Sequence, residues 1–171
     1  MRRLTGWLAT VLIGAMGSAL TSNGQQTGKP TSRNVEHRNN QYGFCLRLPQ
    51  DWEGYSVLLD EWHGTGQTPE GGYAEVARGP LITIRHPKWA PPNSRQDIPI
   101  MVFTLAQWRS VSFPLREFWV SNTPVPPSEL GHNRKYVFAL DPRYNYALPE
   151  GWEEVDRIVR SRSLHAPCRS K

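Results

Sequence analysis

The stretch Tyr42–Leu59, YGFCLRLPQDWEGYSVLL, is where the chain reads most plainly. Tyr42, Phe44, Leu46 and Leu48 alternate with Gly43, Cys45 and Arg47. Successive side chains of a strand point to opposite faces, so this period of two predicts a half-buried β-strand. Pro49 ends the run because it has no N–H for a ladder hydrogen bond. Gly54 supplies a turn residue that tolerates positive φ. A second strand begins at Ser56, and the expectation is a hairpin of these two strands against which the rest packs.

The N-terminus follows another logic. Met1-Arg2-Arg3 is basic, Trp7–Met16 is an apolar run, and Gly17-Ser18-Ala19 offers small residues for cleavage. That order predicts a secretory signal peptide over residues 1–19. The run is too short for a membrane span, which needs roughly 20 apolar residues. Residues 20–33 are polar and read as a flexible lead-in. Residues 34–171 then form one domain by length, with no transmembrane segment after residue 19. The expected location is periplasmic or secreted. Without Arg2 and Arg3 the net charge of +5 falls to +3 (5 − 2). Much of that excess sits at the C-terminus, in Arg157, Arg160, Arg162, Arg169 and Lys171, and reads as a solvated helix end. No nucleic-acid recognition motif is present, and nucleic acid is not an expected partner.

Further along, Asn34–Arg38 predicts a short strand and Ser56–His63 continues the second strand, with neither face cleanly apolar. Gly64–Gly72 is a loop by composition. Leu81–Arg85 is a strand bounded by Pro80 and Pro87, and His86–Asp97 is a proline-rich connection. Ile98–Phe103 is a buried strand. Thr104 and Gln107, three apart, fit a capping box opening a short helix with Leu105, Trp108 and Val111 facing inward. The second half of Leu115–Asn122 is a strand, Thr123–Gly131 a loop, and Lys135–Leu140 an alternating strand. The last element is a helix with the stripe Trp152, Val155, Ile158 and Val159. Its acids lie at the start and its arginines at the end, complementing the dipole. Glu153–Arg157 and Asp156–Arg160 are possible i, i+4 pairs. The fold class is therefore α+β: an antiparallel sheet of about five to seven strands with a short middle helix and a C-terminal helix.

The run Tyr42–Tyr55 resembles the first strands of PsbP-like domains, where an aromatic-glycine-aromatic strand runs into a proline and a tryptophan. It is more closely similar to small exported bacterial proteins sharing YGFxxxLPxxWxGY. The resemblance recurs at Ile98–Thr104, Ala106–Arg109 and Tyr136–Leu140. It implies an antiparallel sheet sandwiched by helices and a binding or assembly role, and it carries no catalytic set.

Catalytic motifs are absent: there is no GxSxG elbow, no HExxH and no P-loop. Asp60, Glu61, His63 and His86 invite a metal reading, but their spacing is not that of converging ligands. No metal or cofactor is expected. Cys45 and Cys168 are an even pair in an expected oxidising compartment, which predicts a disulfide closing a very long loop. Trp62 and Trp89 sit beside His63 and Lys88 at the edges of polar segments. They are expected to be more exposed than Trp108 and Trp152, and with His63 and His86 they form the candidate binding set. The function expected is a non-catalytic exported domain that binds a protein or cell-envelope component. The alternative is an envelope hydrolase whose residues are scattered in sequence.

Overall fold

A computed structural model describes residues 34–112, 114–123 and 125–168. The expected signal peptide and lead-in lie outside them. The described chain is α+β, as expected. Its elements are β1 (Val35–Asn39), β2 (Phe44–Leu48), β3 (Ser56–Gln67), β4 (Tyr73–Arg85) and β5 (Ile98–Thr104). They continue with α1 (Leu105–Val111), β6 (Phe118–Val120), β7 (Ser128–His132), β8 (Tyr136–Leu140), α2 (Trp152–Arg160) and β9 (Leu164–His165). All strand pairing within the sheets is antiparallel, in the orders β1-β2-β9 and β6-β3-β4-β5-β8-β7.

The opening hairpin is not formed as expected. β2 pairs with β1 and β9, whereas β3 belongs to the other sheet. The cause is Trp52. Gln50–Trp52 forms a 3-10 turn, and Trp52 is buried with its indole Nε1 donating to Glu154 of α2 at 3.1 Å. Burying that ring pulls the connection into the core instead of letting it reverse tightly.

Two apolar clusters sit on the two faces of the larger sheet. Ile82, Ile84, Ile100, Val102 and Phe138 meet Phe44, Leu46 and Leu48 of β2 and Val155 and Ile158 of α2. Trp62, Met101, Phe103, Val120, Val137 and Ala139 meet Val111 and Trp108 of α1. The capping box is complete: Gln107 N donates to Thr104 Oγ1 at 3.2 Å and Thr104 N to Gln107 Oε1 at 2.9 Å. Val111 faces inward and Trp108 is half-buried, but Leu105, at the helix start, is exposed. In α2 the pair Asp156–Arg160 forms at 2.7 Å; no Glu153–Arg157 ion pair forms among the described residues.

Two expected loops are partly strand. β3 runs through Gly64 and Gly66 to Gln67. These glycines permit close packing: a Cβ at Gly64 would lie 2.6 Å from the Phe118 ring, and one at Gly66 2.7 Å from Val76. The end of Thr123–Gly131 enters β7, which pairs with β8.

Leu81–Arg85 is the far end of a strand of 13 residues that contains Pro80. Continuing the β4–β5 register past Leu81↔Met101 puts Pro80 opposite Val102. Proline has no N–H to donate to β5. The Val102 carbonyl instead accepts from Trp62 Nε1 at 2.9 Å. The indole reaches it by lying over Gly79, where a Cβ would come within 2.7 Å of the ring.

The disulfide forms between Cys45 and Cys168, 123 residues apart, with a Cα–Cα distance of 5.2 Å. β9 explains the approach. Its His165 pairs with Cys45 of β2, which brings Cys168 to the same strand.

Candidate functional site

The four residues of the candidate binding set do not converge: Trp62 and His63 are consecutive in β3, whereas His86 and Trp89 meet beyond the end of β4, Trp89 N donating to the His86 carbonyl at 3.0 Å. Trp62 is only 3% exposed. It stacks on Phe103 at 4.4 Å between centroids and on Phe118 at 6.1 Å. Its expected exposure is overturned because Glu61 and His63, its polar neighbours, point to the opposite face of the strand. His63 is exposed, with Nδ1 2.9 Å from Glu75 Oε2. It is paired across the hairpin with Arg78. His86 follows the other end of β4, roughly 26 Å away at the usual strand rise.

His86 is 2% exposed, so it too is no surface group. Its ring lies edge-on to Trp52 at 4.8 Å between centroids. Nδ1 accepts from Lys88 N at 3.0 Å, which leaves the neutral ring's proton on Nε2, a buried atom without a hydrogen-bond partner among the described residues. Burial, then the nearby Arg95, push its pKa below the usual histidine value, against the opposing pull of Glu154. Arg95 bonds Glu154 at 3.3 Å and also Glu150. Gln96 donates to the Asp97 and Tyr144 carbonyls at 2.8 and 2.7 Å. This network ties the 86–97 connection to the start of α2. Trp89 is half-buried like Trp108 and Trp152, with the Arg85 guanidinium 3.9 Å above its ring. Arg85 is itself held by Asp97 at 2.8 Å.

A cavity of about 330 Å³ gathers Glu61, His63, Ser121, Asp141, Arg143 and Tyr144. Ser121, at φ 55° just past β6, donates its hydroxyl to Asp141. Burial raises the Asp141 pKa, opposed by the Arg143 N–H donating at 2.7 Å. A serine activated for acyl transfer needs a base held in hydrogen-bond reach and oriented by a third group. Here the serine meets a carboxylate, and His63 is turned to Glu75; among the described residues no histidine hydrogen-bonds to either Ser121 or Asp141. Nor does any group of three or more His, Cys, Asp or Glu side chains among them assemble as a metal site. Sequence reasoning missed Ser121 and Asp141, which are twenty residues apart and carry no local motif.

An exposed apolar run lies on β3. Val57 and Leu58 are each 38% exposed and Leu59 is 77% exposed. β6 pairs with β3 only at Gly64, Thr65 and Gly66, so Ser56–His63 has β4 on one side and an open edge on the other among the described residues. The sequence signal was the failure of Ser56–His63 to show one clean apolar face.

The chain matches no protein-family model, and no curated protein or solved structure shows significant similarity to it.

Proposed function

We propose that this is a non-catalytic exported domain that binds an extended polypeptide by strand addition at the β3 edge. The open edge with Val57, Leu58 and Leu59 carries the reading. Main-chain groups on such an edge supply affinity, and flanking side chains supply selection. The PsbP-like resemblance of Tyr42–Tyr55 favours a binding role. Export is supported by the signal-peptide pattern over residues 1–19 and by the Cys45–Cys168 bond, a linkage that persists in oxidising compartments. No helix among the described residues is long and apolar enough to cross a membrane.

The test is a peptide array of extended apolar-alternating sequences, probed with the wild-type chain and with Leu59→Glu. Edge binding requires peptides that bind the first and not the second. Turnover in a broad hydrolase screen, abolished by Ser121→Ala or Asp141→Asn, would replace this reading with the enzymatic one.

A further inference from the structure

The geometry points to a second copy of this chain as the occupant of the β3 edge, paired antiparallel about Leu58; this rests on the strand-addition reading above. In an antiparallel strand the N–H and C=O of one residue point to the same side, and successive residues alternate. Glu61 lies opposite Pro80, which has no N–H, so these two cannot exchange a pair of ladder bonds. The Glu61 N–H therefore faces the edge, and it is taken there by Asp60 Oδ1 at 2.8 Å. By the same alternation the N–H and C=O groups of Val57 and Leu59 also face the edge.

Only registers that set odd residues against odd ones let these groups bond. With Leu58 opposite the partner's Leu58, Val57 and Leu59 exchange four main-chain hydrogen bonds with the partner's Leu59 and Val57. Val57, Leu58 and Leu59 then each meet an apolar side chain. Asp60 falls opposite the partner's Ser56, whose own neighbour on β4 is Arg85, so no like charges face each other. Moving the centre to Leu59 sets Leu58 against Asp60 and Val57 against Glu61. Moving it to Asp60 sets two aspartates face to face, which is destabilising. Ser56–His63 has no proline or lysine, and the charges that could blunt the edge, Asp60 and Glu61, lie outside the Val57–Leu59 pairing. The pairing is isologous and closes as a two-fold dimer.

Analytical ultracentrifugation of the full chain, expressed so that its N-terminus is processed as in the native cell, tests the proposal. A concentration-dependent dimer is expected. Leu59→Arg, and separately Val57→Lys, should raise its dissociation constant about tenfold or more, with circular dichroism checking that each variant stays folded. The register has its own readout. Leu58→Cys should give an intermolecular disulfide, because directly opposed non-hydrogen-bonded residues sit about 4.5 Å apart at Cα, within bridging range. Glu61→Cys should not. A monomer at all concentrations, or a dimer indifferent to both edge variants, overturns the pairing. So does cross-linking through Leu59→Cys in place of Leu58→Cys. A monomer that still binds array peptides in an edge-dependent way removes the self-pairing alone and leaves strand addition standing. A monomer with slowly exchanging amides at Val57 and Leu59 also overturns it.

Discussion

Trp62→Phe tests the substitution of an indole for a missing main-chain donor. The variant keeps an aromatic ring over Gly79 and between Phe103 and Phe118 but loses the Nε1–H that reaches the Val102 carbonyl at 2.9 Å. Leaving a buried acceptor without its partner costs about 1–3 kcal/mol. The smaller ring gives up roughly 40 Å² of buried apolar surface, about 1 kcal/mol more. The sum, about 2–4 kcal/mol, lowers the melting temperature of a domain this size by roughly 6–16 °C. The second half of the test is Pro80→Ala, which restores an N–H opposite Val102. Its effect on the unfolded chain is common to both backgrounds and cancels in a double-mutant cycle. Trp62→Phe should then cost about 1 kcal/mol less in the Pro80→Ala chain than in the wild type, because the backbone takes over the bond. Urea denaturation followed by far-ultraviolet circular dichroism on the four proteins measures this. Additivity within about 0.5 kcal/mol would refute the idea that the indole stands in for Pro80.

Three further outcomes are expected. The unreduced, denatured protein should titrate no free thiol, and the Cys45→Ala/Cys168→Ala chain should lose up to about 5 kcal/mol, the chain-entropy figure for a loop closed across 123 residues. Thr104→Ala should cost about 1 kcal/mol through loss of the cap, read as a shift in urea midpoint without a change in slope. His37 and His86 both have pKa values held below the usual 6.5 by burial, so the folded state favours their neutral form. Their contribution is present above pH 6.5 and is lost as the pH falls through the folded values, because the unfolded chain binds the extra protons first. The urea midpoint should therefore drop on acidification below that point, and less steeply in His86→Gln.

What the sequence shows well is whatever short-range chemistry determines. The alternation of Tyr42–Leu48, the Thr104 and Gln107 spacing and the stripe of the last helix each encode one element, and each element is present. The disulfide was legible because the count and the expected compartment constrain it, and β9 supplies the approach that spacing alone could not. What failed was partnership. Nothing between Phe44 and Leu59 says that β2 and β3 enter different sheets, because that is decided by where Trp52 finds a core, and its partner Glu154 is 102 residues away. Gly64 and Gly66 look like loop composition, yet they are strand positions where the Phe118 ring and Val76 leave no room for a side chain. Trp62 has polar neighbours along the chain, but its environment is set by Phe103 and Phe118 across the sheet.

The same distinction bears on β3. A strand interior to a sheet is apolar on the faces that others cover, and its polar main chain is satisfied from both sides. Val57-Leu58-Leu59 has apolar side chains on both faces, as a central strand would, but β6 is only three residues long and stops at Gly64. Among the described residues the segment thus has the composition of an inner strand and the position of an outer one. Local sequence and local topology disagree there, and a local conflict of this kind marks either strain or function. Nothing at Ser56–His63 is strained: its backbone contains no positive φ and no cis bond. The conflict is resolved if another strand completes the sheet, and Leu59, the most exposed of the three apolar residues, is where that strand has most to gain.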